Sequence, residues 1–147
     1  MRAATGEIAD GRHRLALRVY YEDTDFSGVV YHASYLRFLE RGRTEFLRAL
    51  DIGQAAQFAA GEDFAFVVRR MTIDWLKPAR MDDEIVVETT PTALGGAALD
   101  LAQRVTRGEA TLLEAQVKVA CLAAGRVTRI PVSIRARLAA ALARAQA

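Results

Sequence analysis

Between Tyr20 and His32 the chain reads Tyr-Tyr-Glu-Asp-Thr-Asp-Phe-Ser-Gly-Val-Val-Tyr-His, gathering two aspartates, three tyrosines and a histidine directly ahead of a long amphipathic segment. A carboxylate with an ordinary pKa near 4 is ionised at neutral pH. It can attack an electrophilic carbon or take a proton from water. A strand exit followed by a Gly-containing loop holds such a carboxylate near the free backbone N–H groups of the next helix. The partial positive charge there stabilises a developing anion.

Each of these residues also has a plainer role. Asp side chains in turns bond their own backbone nearby, and Asp23 is expected to be structural for that reason. His32 alone reads as a helix-start or surface histidine, and Tyr21 divides evenly between packing and site. Other chemistries fit poorly. The three serines include none in a Gly-x-Ser-x-Gly elbow. Two histidines and one cysteine are too few for a familiar zinc cluster. No Gly-rich phosphate loop of standard spacing is present.

The elements that must position this run are legible from periodicity. Leu15, Leu17 and Val19 alternate with polar or small residues as a half-buried strand that ends at the acidic loop. Beyond Ser34 the apolar positions Tyr35, Leu36, Leu39, Phe46, Leu47 and Leu50 recur at helical steps, with charged residues on the other face. Arg41/Glu45 and Glu40/Arg43 are expected to pair on that face, for a few tenths of a kcal/mol each. Gly42 costs about 1 kcal/mol relative to Ala in a helix interior. It lies on the apolar stripe, so a close approach to a sheet or partner is expected to compensate. Gly53 reads as the helix stop, and Gln54 to Ala60 as a short second helix.

From Phe64 the period changes to two. Met71, Ile73 and Trp75, then Glu84 to Thr90, then Leu99 to Val105, then Leu113 to Cys121 read as strands. Asp82-Asp83, Gly95-Gly96 and Gly108 mark the turns between them. Connections this short make antiparallel neighbours. From Pro131 the chain reads as an Ala-rich helix with Ser133 as a candidate cap. The fold class is therefore α+β: an antiparallel sheet wrapped on one long central helix, with a C-terminal helix. Such a sheet has open edges, which pairing of two copies would cover.

At 147 residues the chain most simply makes one domain, set here as residues 14–147 behind a loose arm over residues 1–13 that lacks clear periodicity. Lys and Arg number 20 against 18 Asp and Glu, interspersed rather than clustered, which gives little support to a nucleic-acid partner. The lone Cys121 excludes an intrachain disulfide and points to a reducing compartment, with a small core residue as its plain reading. No run of 18 apolar residues occurs, and Glu7 and Asp10 stand where a secretory signal would have its apolar stretch. The protein is expected in the cytoplasm, with no integral membrane association.

The segment Tyr21 to Leu36, continued by Phe38-Leu39-Glu40-Arg41-Gly42-Arg43-Thr44-Glu45, resembles the signature of the 4-hydroxybenzoyl-CoA thioesterase family, in particular its Tol-Pal-associated acyl-CoA thioesterase branch. A second block, Phe66 to Arg70 and Leu76 to Asp83, resembles the same branch. The likeness covers about residues 15 to 130. It implies a hotdog fold, homodimers that pair into tetramers, and sites at the dimer interface.

The resemblance further implies that this is an enzyme hydrolysing a small or medium acyl-CoA to acid and CoA, with coenzyme A as part of the substrate and no cofactor. It implies that Asp25 is the catalytic carboxylate, as nucleophile or general base, and that Tyr21 and His32 stand beside it. The oxyanion donor maps to the backbone N–H of His32 or an adjacent residue. Val30 and Tyr31 are candidate substrate contacts. Arg70, Lys77 and Arg80 suit the phosphates of CoA, against the plainer reading of a solvated strand face. Gly42 departs from the family, where Ala is commoner, and Phe26-Ser27 falls at a variable position. Two rivals remain: a hotdog hydratase or dehydratase using Asp25 and His32 as an acid/base pair, and a non-catalytic acyl-CoA-binding adaptor.

Overall fold

The computed structural model describes residues 1–53 and 64–147. The short helix expected over Gln54 to Ala60 lies outside the described residues. Among those described, seven strands form one antiparallel sheet and two helices pack on it. The strands are β1 (Glu7–Ala9), β2 (Arg12–Arg18), β3 (Ala65–Trp75), β4 (Glu84–Leu94), β5 (Ala98–Arg107), β6 (Ala110–Ala123) and β7 (Arg126–Val127); the helices are α1 (Ser34–Ala49) and α2 (Val132–Gln146). The sheet order is β1-β2-β4-β5-β6-β3, with β7 also paired to β6. The hotdog arrangement follows directly: one long helix enters between β2 and β3, and the meander β4-β5-β6 curves around it.

Alternation decides which side chains meet the helix. Ile85 and Val87 on β4, Leu101 and Val105 on β5, and Leu113 and Ala115 on β6 are buried with Leu39 and Phe46 of α1 in one core. On β3 the register shifts between Val68 and Arg70. This bulge absorbs one residue, so Phe66 and Val68 before it, and Met71, Ile73 and Trp75 after it, all pair with helix-facing residues of β6. Cys121 is a free, buried cysteine.

Gly42 is where α1 approaches the sheet. A Cβ placed there would lie 2.6 Å from Val87 Cγ1 and 3.1 Å from both Gln103 Nε2 and Thr89 Oγ1. The residues under it form a buried polar network. Gln103 Nε2 donates to the Leu39 carbonyl and to Thr89 Oγ1, both at 2.9 Å, and Gln103 Oε1 accepts from Arg43 at 3.0 Å. Arg43 thus turns inward rather than reaching out to pair with Glu40 as expected from spacing. Glu45 pairs with Arg48 at 3.0 Å, in place of the expected Arg41.

Three boundaries differ from the sequence reading. Helix α1 ends at Ala49 instead of running to Gly53: Asp51 takes a left-handed conformation (φ 60°), and Ile52 N–H bonds the Leu47 carbonyl at 2.8 Å. Asp tolerates this conformation, so a Schellman stop forms without glycine. Ser133 makes no capping bond, and Pro131 itself is the N-cap of α2. The arm expected over residues 1–13 is structured in its second half, since Glu7–Ala9 pairs with Arg12–Arg14 and His13 is buried.

The β1–β2 turn is fastened to α2 through Gly11. Its φ is +75°, and a Cβ there would meet the Ala141 carbonyl oxygen at 2.1 Å and Ala145 N at 2.8 Å, both rigid backbone atoms. Gly11→Ala should therefore cost at least about 2 kcal/mol and lower the thermal midpoint by several degrees. An unchanged midpoint in a thermal melt would show that the turn does not pack on α2 as described.

Candidate active site

The acidic loop is built as a tight hairpin. Thr24 bridges to Val30, Asp25 N–H donates to the Val29 carbonyl at 2.8 Å, and Gly28 N–H donates to the Asp25 carbonyl at 3.0 Å. Phe26-Ser27-Gly28 therefore forms a three-residue tip whose last residue must take positive φ, and Gly28 does so at 85°. Asp23 is the structural aspartate: it is buried, and its Oδ2 accepts the Tyr20 N–H at 2.8 Å.

The loop is tied to the segment after β3. Val29 bridges to Arg80, and Val30 N–H donates to the Ala79 carbonyl at 2.8 Å. That second segment is held in turn by Tyr35, whose hydroxyl accepts the Ala79 N–H at 3.0 Å, and by Arg107, which donates to the Pro78 carbonyl at 3.2 Å and to Asp83 at 2.7 Å. Burial raises the Tyr35 phenol above its ordinary 10.0, so it stays protonated.

Between these segments and the start of α1 lies a cleft of about 250 Å³, lined by Val30, His32, Tyr35, Trp75, Leu76, Lys77 and Pro78. The His32 ring stands edge-on to Trp75, with centroids 5.9 Å apart, and 4.5 Å from the ring of Tyr31. Ser34 N–H donates to the Tyr31 carbonyl. Among the described residues, no acceptor meets the N–H groups of His32 and Ala33, which precede the first turn of α1. Backbone amides left without an acceptor at a helix start are suited to stabilising an anion.

Asp25 is solvent-exposed at the hairpin and is not among the residues lining the cleft. Its Oδ1 accepts two hydrogen bonds from Ser27, from the hydroxyl at 2.6 Å and the amide at 2.8 Å. The Ser27 hydroxyl, followed by the Ser27 amide, holds the carboxyl below its ordinary 3.8. Asp25 is thus an anion at neutral pH, with Oδ2 carrying none of these bonds.

The other candidates divide. Val30, His32 and Lys77 share the cleft, and Arg80 lies on the bridge beside the loop. Tyr21 is 79% exposed on a single 3-10 turn, outside the cleft lining, and Tyr31 is exposed behind His32. Arg70 is elsewhere: it faces a shallow hollow on the other side of the sheet with Thr72, Asp100 and Lys118. Trp75, Leu76 and Tyr35 were not singled out for the site from sequence. The Trp-Leu-Lys-Pro step that ends β3 was the available signal for the first two.

An antiparallel sheet around one helix, with an acidic hairpin feeding the helix start, defines a class of hotdog enzymes acting on thioesters. Residues 27–114 match the thioesterase superfamily. The chain belongs to this superfamily and is a thioester hydrolase. It is 51% identical over 110 residues to acyl-CoA thioester hydrolase YbgC of Escherichia coli, covering 74% of this chain and 81% of that one. To acyl-CoA thioesterase YbgC of Haemophilus influenzae it is 43% identical over 120 residues, covering 82% and 88%. A probable thioesterase from Bartonella henselae superposes with a TM-score of 0.78 at 40% identity, covering 82% of this chain and 99% of that chain.

The wall of the cleft carries a pH dependence. Asp83 accepts from the Arg80 N–H and from Arg107, and these bonds hold its carboxyl below the ordinary 3.8, the Arg80 amide contributing most. A depressed folded value means the contribution is present above the ordinary pKa and is lost as pH falls through the folded one. Asp83→Asn should therefore flatten the acid-side fall of the thermal midpoint below about pH 4. Parallel midpoint curves for variant and parent across that range would contradict this role.

Proposed function

We propose that the chain hydrolyses acyl-CoA thioesters, with Asp25 as the reacting carboxylate and the amides of His32 and Ala33 as donors to the carbonyl oxygen. One observation carries this reading: an ionised carboxylate on a closed hairpin stands seven residues ahead of backbone amides that meet no acceptor among the described residues, and the same loop lends Val30 to a cleft with an apolar wall. Acyl-CoA as the substrate class comes from the named activity of the E. coli and H. influenzae relatives.

In the direct route, Asp25 Oδ2 bonds the acyl carbon and negative charge moves onto the carbonyl oxygen, facing the amides. The C–S bond then breaks, the thiolate of CoA leaves with the electron pair, and water hydrolyses the resulting anhydride to the free acid and a restored carboxylate. In the alternative route Asp25 takes a proton from the attacking water. Thiolate departs readily, so no strong general acid is required. Tyr21 and His32 orient the thioester and carboxylate, Val30 and Tyr31 contact the acyl-bearing end, and Lys77 and Arg80 suit the CoA phosphates. Arg70 would reach the phosphates only from the far side of the sheet.

An acid/base pairing of Asp25 with His32, as a hydratase would need, finds no support: Asp25 is bonded to Ser27 while His32 faces Trp75 and Tyr31. The proposed working form is a homodimer, assembling further to a tetramer. Strand β3 supports it as the contact edge: eleven residues long, at the end of the sheet, with Val67, Val68 and Trp75 each about 40 to 50% exposed. A second copy there would cover Trp75 and wall the cleft. No cofactor is proposed. The described helices include none long and apolar enough to cross a membrane. The proposed setting is the cytoplasm, and association with Tol-Pal envelope machinery is carried over from the sequence resemblance.

Asp25→Asn should lower thiol release from acyl-CoA at least about 10³-fold while leaving the thermal midpoint and assembly unchanged. A folded Asn variant with near-normal turnover would overturn the assignment.

A further inference from the structure

Resting on that reading, the geometry points to Ser27 as the positioning residue that selects which oxygen of Asp25 reacts. Three observations lead there. First, the Asp25 carboxylate is solvent-exposed on a hairpin tip, where nothing in its packing would choose a rotamer. Second, both donors of Ser27 converge on one oxygen: Ser27 Oγ at 2.6 Å and Ser27 N at 2.8 Å from Asp25 Oδ1. Third, no other side chain among the described residues bonds this carboxylate, and the backbone amides of Val29 and Asp25 act on it less than the two donors of Ser27, so Ser27 leads in orienting it.

The two donors are not equivalent. The amide bond comes with the turn and would persist with any residue but proline at position 27. The hydroxyl is the part specific to serine, and its bond is the shorter and charge-assisted one. Both bonds fall on Oδ1, and neither falls on Oδ2. A bonded oxygen is a poorer nucleophile than an unbonded one, so the arrangement turns a symmetric carboxylate into one with a single reacting atom. It also favours the ionised form, because the same hydroxyl is the leading cause of the lowered carboxyl pKa.

A residue that merely shaped the loop would not give these signatures. Loss of the Ser27 hydroxyl should lower kcat with KM nearly unchanged, because the substrate pocket is untouched and only the reacting group is released. It should also move the acid limb of the kcat profile to higher pH, since the carboxylate loses the bond that favours its charged form. Threonine keeps the hydroxyl and should restore both.

The experiment compares Ser27→Ala, Ser27→Thr and Asp25→Asn in the full chain, by steady-state thiol release from one acyl-CoA between about pH 3.5 and pH 8 and by ¹³C-carboxyl NMR titration of Asp25. The expected result is a reduced kcat, a raised acid limb and a raised Asp25 titration in the Ala variant, all reversed in the Thr variant, with Asp25→Asn inactive. If Asp25→Asn is inactive but Ser27→Ala keeps the parental kcat and acid limb, the role of Ser27 is overturned and the function stands. If Asp25→Asn turns over normally, the function and the role of Ser27 fall together.

Discussion

The close seating of α1 on the sheet is the constraint on which the site depends. At Gly42 the helix backbone lies within a side-chain radius of Val87, Thr89 and Gln103. Gln103 also spans the gap, donating to the Leu39 carbonyl of the helix and to Thr89 of the neighbouring strand. These bonds are buried, so their partners have no water to fall back on, and a lateral shift of the helix would leave several polar groups unpaired. The depth and rotation of α1 are thereby set near its middle. Its N-terminus, two turns earlier, can then meet the acidic hairpin at a fixed distance.

From that anchor the site is held by backbone more than by side chains. The hairpin over residues 24–30 is closed by its own turn and tied to Ala79 and Arg80. The segment bearing those residues is pinned by the Tyr35 hydroxyl from the helix and by Arg107 from β5. Helix, hairpin and wall therefore form one closed circuit of bonds: α1 to Ala79, Ala79 to Val30, and Val30 back into the helix start. Side chains in the cleft can vary with the acyl group while the amides and carboxylate keep their places. This division suits a superfamily whose members share a frame and differ in substrate.

Much of this was legible in the sequence because several signals agreed. Period-two alternation in β4, β5 and β6, short turns between them and a long amphipathic stretch allow few arrangements, and the acidic run ahead of the helix marked the site. Gly42 announced a close approach by its cost, and the structure gives the contact. What was not legible depended on three-dimensional neighbours. Arg43 has ordinary helix-surface spacing, yet a buried Gln103 opposite draws it inward. Asp51 stops the helix ahead of Gly53 because an aspartate can adopt left-handed backbone, which a glycine-first reading passes over. Arg70 already alternates with Met71 and Ile73 and so falls on the far face of the sheet, but the bulge between Val68 and Arg70, which keeps Phe66 and Val68 on the helix side as well, has no mark in the alternation. Ser27 gains its role from a turn that folds its hydroxyl back by two residues onto Asp25.

The account's central claim is that one acyl carbonyl sits between Asp25 Oδ2 and the amides at the start of α1. A crystal structure of the assembled protein with a non-hydrolysable acyl-CoA analogue, a ketone in place of the thioester, tests it most directly. The account predicts the ketone oxygen about 3 Å from the N–H of His32 or Ala33, with Asp25 Oδ2 facing the carbonyl carbon. A ketone bound elsewhere, with both amides facing solvent and Asp25 distant from it, would contradict the account.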